Sequence, residues 1–314
     1  MYFGLPEDAL ALRDGLREVL ADACTPATIR AAWDGDACDG LWKTFAEFGL
    51  LGLLVPEDRG GLELDELSFV AAMEECGYAG VPGPLVETVA YAPLCLLALD
   101  GTERLTVHQQ GRAEIAYGTI ATHIYDQRSG LVHTGFDIEE RLTLDRSRRV
   151  GALSGRGLQF VSDTASTADA LPAQRATLGT AAFLLGLARR QLDLTVDYLK
   201  TRKQFGVAIG TYQGLKHPLA DAVVGTEFAW PVVLMAAQAL ASGAPDAALR
   251  VSHAKAAASD AAYRMSRVCL QAHGAIGYTV EYDLHLFAKR TWAMANDWGT
   301  SAEHRRLVTR ELMS

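Results

Sequence analysis

The sequence predicts a mainly α protein in which helical regions at 1–100 and 172–314 flank a small β module at 101–171. Three observations predict it. Leu, Val and Ala recur at three-to-four-residue intervals through long segments at both ends of the chain. Short β-like runs separated by Gly, Asp, Ser and Arg fill the middle. No strand–glycine loop–helix unit is present, so a doubly wound nucleotide-binding sheet is not expected.

Taken in order, PEDALALRDGLREVLADAC opens with Pro and two acids, which suit a helix N-terminus. LWKTFAEFGLLGLLVPEDRGG reads as a helix running to Pro56 and a turn at Gly60-Gly61. Its Trp42, Phe45 and Phe48 suit a core better than a ligand site. ELDELSFVAAMEECGYAG follows as a helix with Leu64, Leu67, Val70 and Met73 on one face. PGPLVETVAYAPLCLLALDG is an apolar helix, or two short ones, broken at Pro93. In the β module the candidate strands are LTVHQQ, EIAYGTI, LTLDRS and LQFVSD. The arginine-rich stretch 141–149 carries interleaved acids and reads as a solvated surface. Helices are then expected over Thr180–Thr201, Pro218–Ala241, Ala247–Gln271 and Ser301–Met313, giving a four-helix bundle.

Composition narrows the function classes. The chain has 314 residues, 49% hydrophobic and 21% charged, with a net charge of -9, which argues against nucleic acid or an anionic membrane as partner. No basic start leads into an apolar run, and no stretch reads as long enough to cross a bilayer, so a cytoplasmic protein is expected. Cys24, Cys38, Cys76, Cys95 and Cys269 are scattered, without a CxxC, as reduced apolar residues would be. The eight histidines show no metal-ligand spacing.

Two stretches carry candidate chemistry. YLKTRKQFGVAIGTYQ (Tyr198–Gln213) closes one helix and opens the next. It offers a guanidinium (Arg202), an apolar ring (Phe205) and two amides (Gln204, Gln213). QAHGAIGYTVEY (Gln271–Tyr282) offers the Gln271 amide beside Gly274-Ala275-Ile276-Gly277, where backbone N–H groups can approach an anion. Together they could hold a pyrophosphate and stack an adenine. A surface salt bridge and an ordinary helix-ending turn account for the same residues.

These segments, with FGLLGLLVPEDRGGLELDEL, resemble the acyl-CoA dehydrogenase family. That first segment is similar to its P-E-x-x-G-G turn. LDLTVDYLKTRKQFGVAIGTYQGLKHPLAD is similar to its R-x-x-F-G helix end followed by a helix opening with Gln. QAHGAIGYTVEY, running on to DWGTSAEHRRLVTREL, is similar to its Q-x-x-G-G-x-G segment and final E-G-T stretch. The resemblance covers about the first third and last two-fifths of the chain. It implies an acyl-CoA dehydrogenase fold and FAD shared between subunits. Arg202 would lie on the pyrophosphate, Gln204 and Phe205 near the adenosine, and Ile209, Tyr212 and Gln213 along the same groove. Gln271, Gly274 and Ala275 would complete the phosphate site, and Thr300 would lie on the flavin side.

Three departures accompany the match. The residue before Gly299 should be the catalytic glutamate and is Trp298, whose indole cannot take a proton from carbon and would fill the thioester's space. The alternative base position, around Ala173–Thr177, holds no carboxylate. Residues 101–171 contain neither the T-E-P-x-x-G-S-D loop nor the W-[VI]-[TS] strand by which the family holds flavin and thioester. The expectation is a catalytically silent subunit of an α2β2 dehydrogenase, like the short partner subunits that act with actinobacterial enzymes on steroid side-chain thioesters. The partner would supply the base and the substrate pocket. An active homo-oligomer using Asp297 or Glu303, or a flavin-free scaffold, are the alternatives.

Overall fold

A computed structural model describes residues 4–95, 97–154, 159–163 and 170–313. Five helices come first: α1 (Glu7–Ala23), α2 (Pro26–Trp33), α3 (Asp39–Phe48), α4 (Glu66–Ala79) and α5 (Leu85–Cys95). The strands β1 (Leu105–His108), β2 (His123–Asp126), β3 (Leu131–Thr134), β4 (Ile138–Glu140), β5 (Gly151–Leu153) and β6 (Gln159–Asp163) follow. A hairpin of β7 (Lys203–Gln204) and β8 (Val207–Ala208) interrupts the last helices: α6 (Ala170–Thr201), α7 (Gln213–Ala241), α8 (Ala247–His273), α9 (Leu284–Met294) and α10 (Ser301–Met313). The order is helical, β, helical, as the sequence predicts.

One apolar core runs through both helical regions. α6 packs on α4 on one side and α8 on the other, and α7 packs on α8. The α4–α6 crossing is close because Gly77 faces the Phe183 carbonyl and Gly186 faces the Glu74 carbonyl. Beside it, buried Glu74 and Glu75 pair with Arg189, and Glu75 also takes Arg17 from α1. Leu67, Val70 and Met73 are buried along α4 as expected, and Trp42 and Phe45 are buried in the core. All five cysteines are buried and none forms a disulfide.

The β module holds a four-stranded sheet of order β1-β2-β3-β6, with β1 parallel to β2 and the other pairs antiparallel. β4 and β5 form a separate pair.

Several local expectations are corrected. EIAYGTI contributes one bridge, Ile115 to Gly151, and no strand. LTLDRS is a loop with a 3-10 turn at Arg146–Arg148, while β2 to β5 arise where polar residues interrupt the alternation. The helix expected to reach Pro56 stops at Phe48, because Gly49 takes a left-handed conformation (φ 83°). α5 continues through Pro93, and α2 and α9 had no expectation. The stretch 141–149 is not simply a solvated surface. Asp145 and Ser147 are buried, and Arg290 from α9 donates to both and to the Val81 carbonyl at 2.6 Å. α7 is long and apolar enough to cross a membrane, contrary to expectation. Its apolar count is high because it faces α8 on one side and exposes Val224, Phe228 and Met235 on the other.

Candidate nucleotide groove and the site around Trp298

α6 ends in register with the hairpin that follows it. The Ile209 N–H donates to the Arg202 carbonyl at 2.9 Å, which turns the chain back into α7. The two residues at the hairpin turn, Phe205 and Gly206, both have positive φ (51° and 83°), as a type I′ turn requires. A phenylalanine is strained there, and its ring is 93% exposed. α8 ends at His273, and Gly274 (φ 66°) starts a 3-10 turn over Gly274–Tyr278.

Between these two chain reversals lies a groove of about 500 Å³, lined by Arg202, Gln204, Ile209, Tyr212, Gln271, Gly274 and Ala275. Residues distant in sequence are thus brought together. Phe205 stands beside the lining at the hairpin tip, and Gln213 is exposed as the first residue of α7. Thr300 lies elsewhere, capping α10, with its hydroxyl 2.9 Å from Glu303 Oε2.

Among the described residues, the Arg202 guanidinium and the Gln271 amide make no hydrogen bond or ion pair. The groove therefore offers unspent donors. A Cβ at Gly274 would meet nothing within 4 Å, so the backbone is open to an approaching ligand. Sequence reasoning assigned no role to His273, which closes the floor. Its ring stacks on Tyr198 at 4.4 Å and lies 4.9 Å from Tyr282. His273 Nδ1 is 2.8 Å from the Cys269 carbonyl, which fixes it as the donor. Only its position two residues after Gln271 pointed to it.

The second site is closed. Trp298 sits at φ 55° with 8% exposure. Its indole stacks on Tyr91 at 6.1 Å and Nε1 donates to Glu87 Oε1 at 3.3 Å. Asp297 faces the β module and pairs with Arg148 at 2.5 Å. The loop carrying both residues is pinned from behind. Buried Lys255 donates to the Ala295 and Gly299 carbonyls at 3.1 and 2.9 Å, and His304 Nε2 donates to the Trp298 carbonyl at 2.8 Å. Burial lowers the Lys255 pKa to about 8, against the pull of Asp297, Glu303 and Asp260.

Both alternative bases, Asp297 and Glu303, are engaged by neighbouring groups. Asp297 is held by Arg148, and burial raises its pKa despite that cation. Glu303 accepts from the Thr300 N–H at 2.7 Å as the helix cap of α10, which lowers its pKa.

Glu87 gives a pH prediction. Burial, then the nearby Asp297, raises its pKa to about 7. The native state holds this proton more tightly than the unfolded chain, so stability falls as pH rises from the ordinary carboxylate value through 7. The loss approaches about 3 kcal/mol by pH 8. Glu87→Gln keeps an oxygen for Trp298 Nε1 and removes that loss. Thermal unfolding at pH 5 and pH 8 should show the variant gaining on the wild type mainly at pH 8. Equal gains at both would place the titration elsewhere.

Comparison with known proteins agrees with this architecture. The acyl-CoA dehydrogenase N-terminal domain model matches residues 6–106 and the C-terminal domain model matches 167–313. The chain is 32% identical to acyl-CoA dehydrogenase IpdE2 of Mycobacterium tuberculosis over 305 residues, 92% of each protein. Among solved structures it is similar to a chain of the ChsE4-ChsE5 complex from Mycobacterium tuberculosis. The TM-score there is 0.87, with 22% identity over 100% of this chain and 99% of that one. It is also similar to the Tcur3481-Tcur3483 steroid ACAD G363A variant, with TM-score 0.83 and 23% identity over 98% of each. With both helical regions matched and a relative aligned nearly end to end, the chain belongs to the acyl-CoA dehydrogenase family.

Proposed function

We propose that this chain is the non-catalytic subunit of a heteromeric, FAD-dependent acyl-CoA dehydrogenase. A catalytic sister chain supplies the base and the thioester pocket, and this chain supplies the adenosine diphosphate end of the sister's FAD site. The observation that carries the reading is the contrast between the two sites. The base position is filled by an indole packed on Tyr91 and bonded to Glu87, whereas the Arg202 groove stands open with its donors unspent.

The residues present fit one end of FAD. Arg202 and the Gly274-Ala275 backbone suit the pyrophosphate, with Gln271 beside them. Gln204 and Phe205 suit the adenosine, and Ile209 and Tyr212 form the apolar wall, with Gln213 at its edge. The chemistry FAD supplies in this family is acceptance of the substrate's β-hydrogen as hydride. The removal of the α-proton belongs to the partner, since Trp298 cannot perform it. Thr300, whose hydroxyl caps α10, would lie toward the flavin side.

The domain plan follows the same logic, with an N-terminal helical domain to residue 100, a reduced β domain over 101–171 and a bundle over 172–314. The complex is an α2β2 heterotetramer, and its substrate a CoA thioester derived from a steroid side chain. Similarity to a chain of the ChsE4-ChsE5 complex supports a heteromeric assembly, and similarity to the Tcur3481-Tcur3483 steroid ACAD supports the substrate class. Buried cysteines outside any disulfide suit a reducing cytoplasm.

The test is flavin content and native mass of the chain alone and co-purified with a full-length dehydrogenase encoded beside it. A colourless chain alone, with one FAD per heterodimer when paired, is expected. A fully flavin-loaded homo-oligomer that oxidises an acyl-CoA would overturn the proposal.

A further inference from the structure

A cavity of about 240 Å³ lies where α1, α4, α6 and α9 meet. It shares no lining residue with the nucleotide groove and none with the 295–299 loop. Buried Leu20, Cys24 and Phe287 form its apolar walls, and exposed Ala21 stands at its mouth. α6 contributes one residue, Arg190.

Arg190 is half-buried, with its guanidinium 5.3 Å from the Tyr78 ring and 5.6 Å from the Phe287 ring. The two rings hold it in place and supply no counter-charge. Its polar neighbour is the Tyr78 hydroxyl, which itself donates to Asp193 at 2.8 Å. Among the described residues Arg190 makes no ion pair, with Asp193 or any other acid. A guanidinium has five N–H donors, so most of this one's are unspent. Glu75, the single acid in the lining, is already engaged. Its Oε1 accepts from Arg17 at 2.7 Å and from Arg189 at 2.8 Å. Burial would raise the Glu75 pKa, yet the two arginines hold it below the ordinary carboxylate value. One negative charge thus faces two cations, which leaves Arg190 in surplus beside apolar walls.

We propose that this cavity binds a small monocarboxylate, its carboxylate held by Arg190 and its apolar body by Leu20, Cys24 and Phe287. The paired oxygens match the planar fork of a guanidinium, and the walls gain from being covered. The volume falls just below the usual range of drug-sized sites, which limits the body to about one ring.

The probe is 4-fluorobenzoate, titrated into the full chain and followed by fluorine NMR, with neutral 4-fluorobenzamide as its control. Wild type should bind the acid at least about tenfold more tightly than the amide. Arg190→Gln should remove about that factor. Ala21→Phe, at an exposed position on α1, should block the mouth and abolish binding without touching the core. Circular dichroism checks both folds, and Ala21→Phe carries the test if Arg190→Gln unfolds. Arg202→Ala should bind as the wild type does, since the nucleotide groove is a separate site. Absence of binding to wild type, equal affinity for acid and amide, affinity unchanged in folded Arg190→Gln or in Ala21→Phe, or loss in Arg202→Ala would each overturn the proposal.

Discussion

Arg202→Ala is expected to strip FAD from the assembled complex while leaving the assembly intact. The side chain is exposed at the end of α6 and carries no structural partner among the described residues, so its removal costs the fold little. A charge-assisted contact to a pyrophosphate contributes about 1.5–3 kcal/mol, or roughly 10–100-fold in affinity. Arg202→Lys should recover part of that loss, since a lysine retains the charge and loses the bidentate fork. Flavin absorbance per complex after gel filtration reads the effect directly. A flavin-free scaffold predicts no change, because no nucleotide would occupy the groove. An active homo-oligomer predicts loss of flavin from this chain purified alone. The three readings therefore separate on a single residue, measured in two preparations.

The groove was legible in sequence because its parts are short motifs with local causes. Gly206 and Gly274 allow the positive φ values of two chain reversals, and Arg202 and Gln271 lie four and three residues before them. The ends of α6 and α8 then bring the two motifs together without further information. Trp298 was legible by the same route, since an indole in place of a carboxylate is visible without coordinates. What the indole touches was not. Glu87 reads in sequence as one polar residue in an apolar helix, and only packing reveals it as the buried acceptor of the indole N–H. The stretch 141–149 misled for a related reason. Interleaved charges are the pattern of a solvated face, yet here Asp145 and Arg148 pair with Arg290 and Asp297, some 145 residues away in each case. Charge partners contributed by a different domain leave no local periodicity. Strands β2 to β5, of three or four residues each, are too brief for alternation to register. α7 failed the opposite way. Its apolar content was read as ordinary bundle packing, and the exposed stripe of Val224, Phe228 and Met235 requires knowing which face meets α8.

Gly186→Ala should cost the chain about 3 kcal/mol or more, enough to leave much of it unfolded or aggregated on expression. α6 is the helix to which both α4 and α8 are packed, and at Gly186 it runs directly against the α4 backbone. An added methyl group would fall on the Glu74 carbonyl oxygen and crowd the Tyr78 nitrogen. Backbone cannot step aside as a side chain can, so the helices must part. Separation also pulls on the buried carboxylates alongside. Glu74 and Glu75 hold Arg189 at 2.9 and 2.8 Å, and a buried charge that loses its partner is costly. The control is Gly225→Ala in the middle of α7, where a methyl group meets nothing within 4 Å. There the substitution only removes glycine's entropy cost in a helix and should stabilise by about 0.5–1 kcal/mol. Chemical denaturation of the two variants beside the wild type thus predicts opposite signs for the same chemical change. A Gly186→Ala midpoint within experimental error of wild type would mean that the α4–α6 crossing is wider than the structure shows. The arrangement of α4 on the bundle would then need to be redrawn.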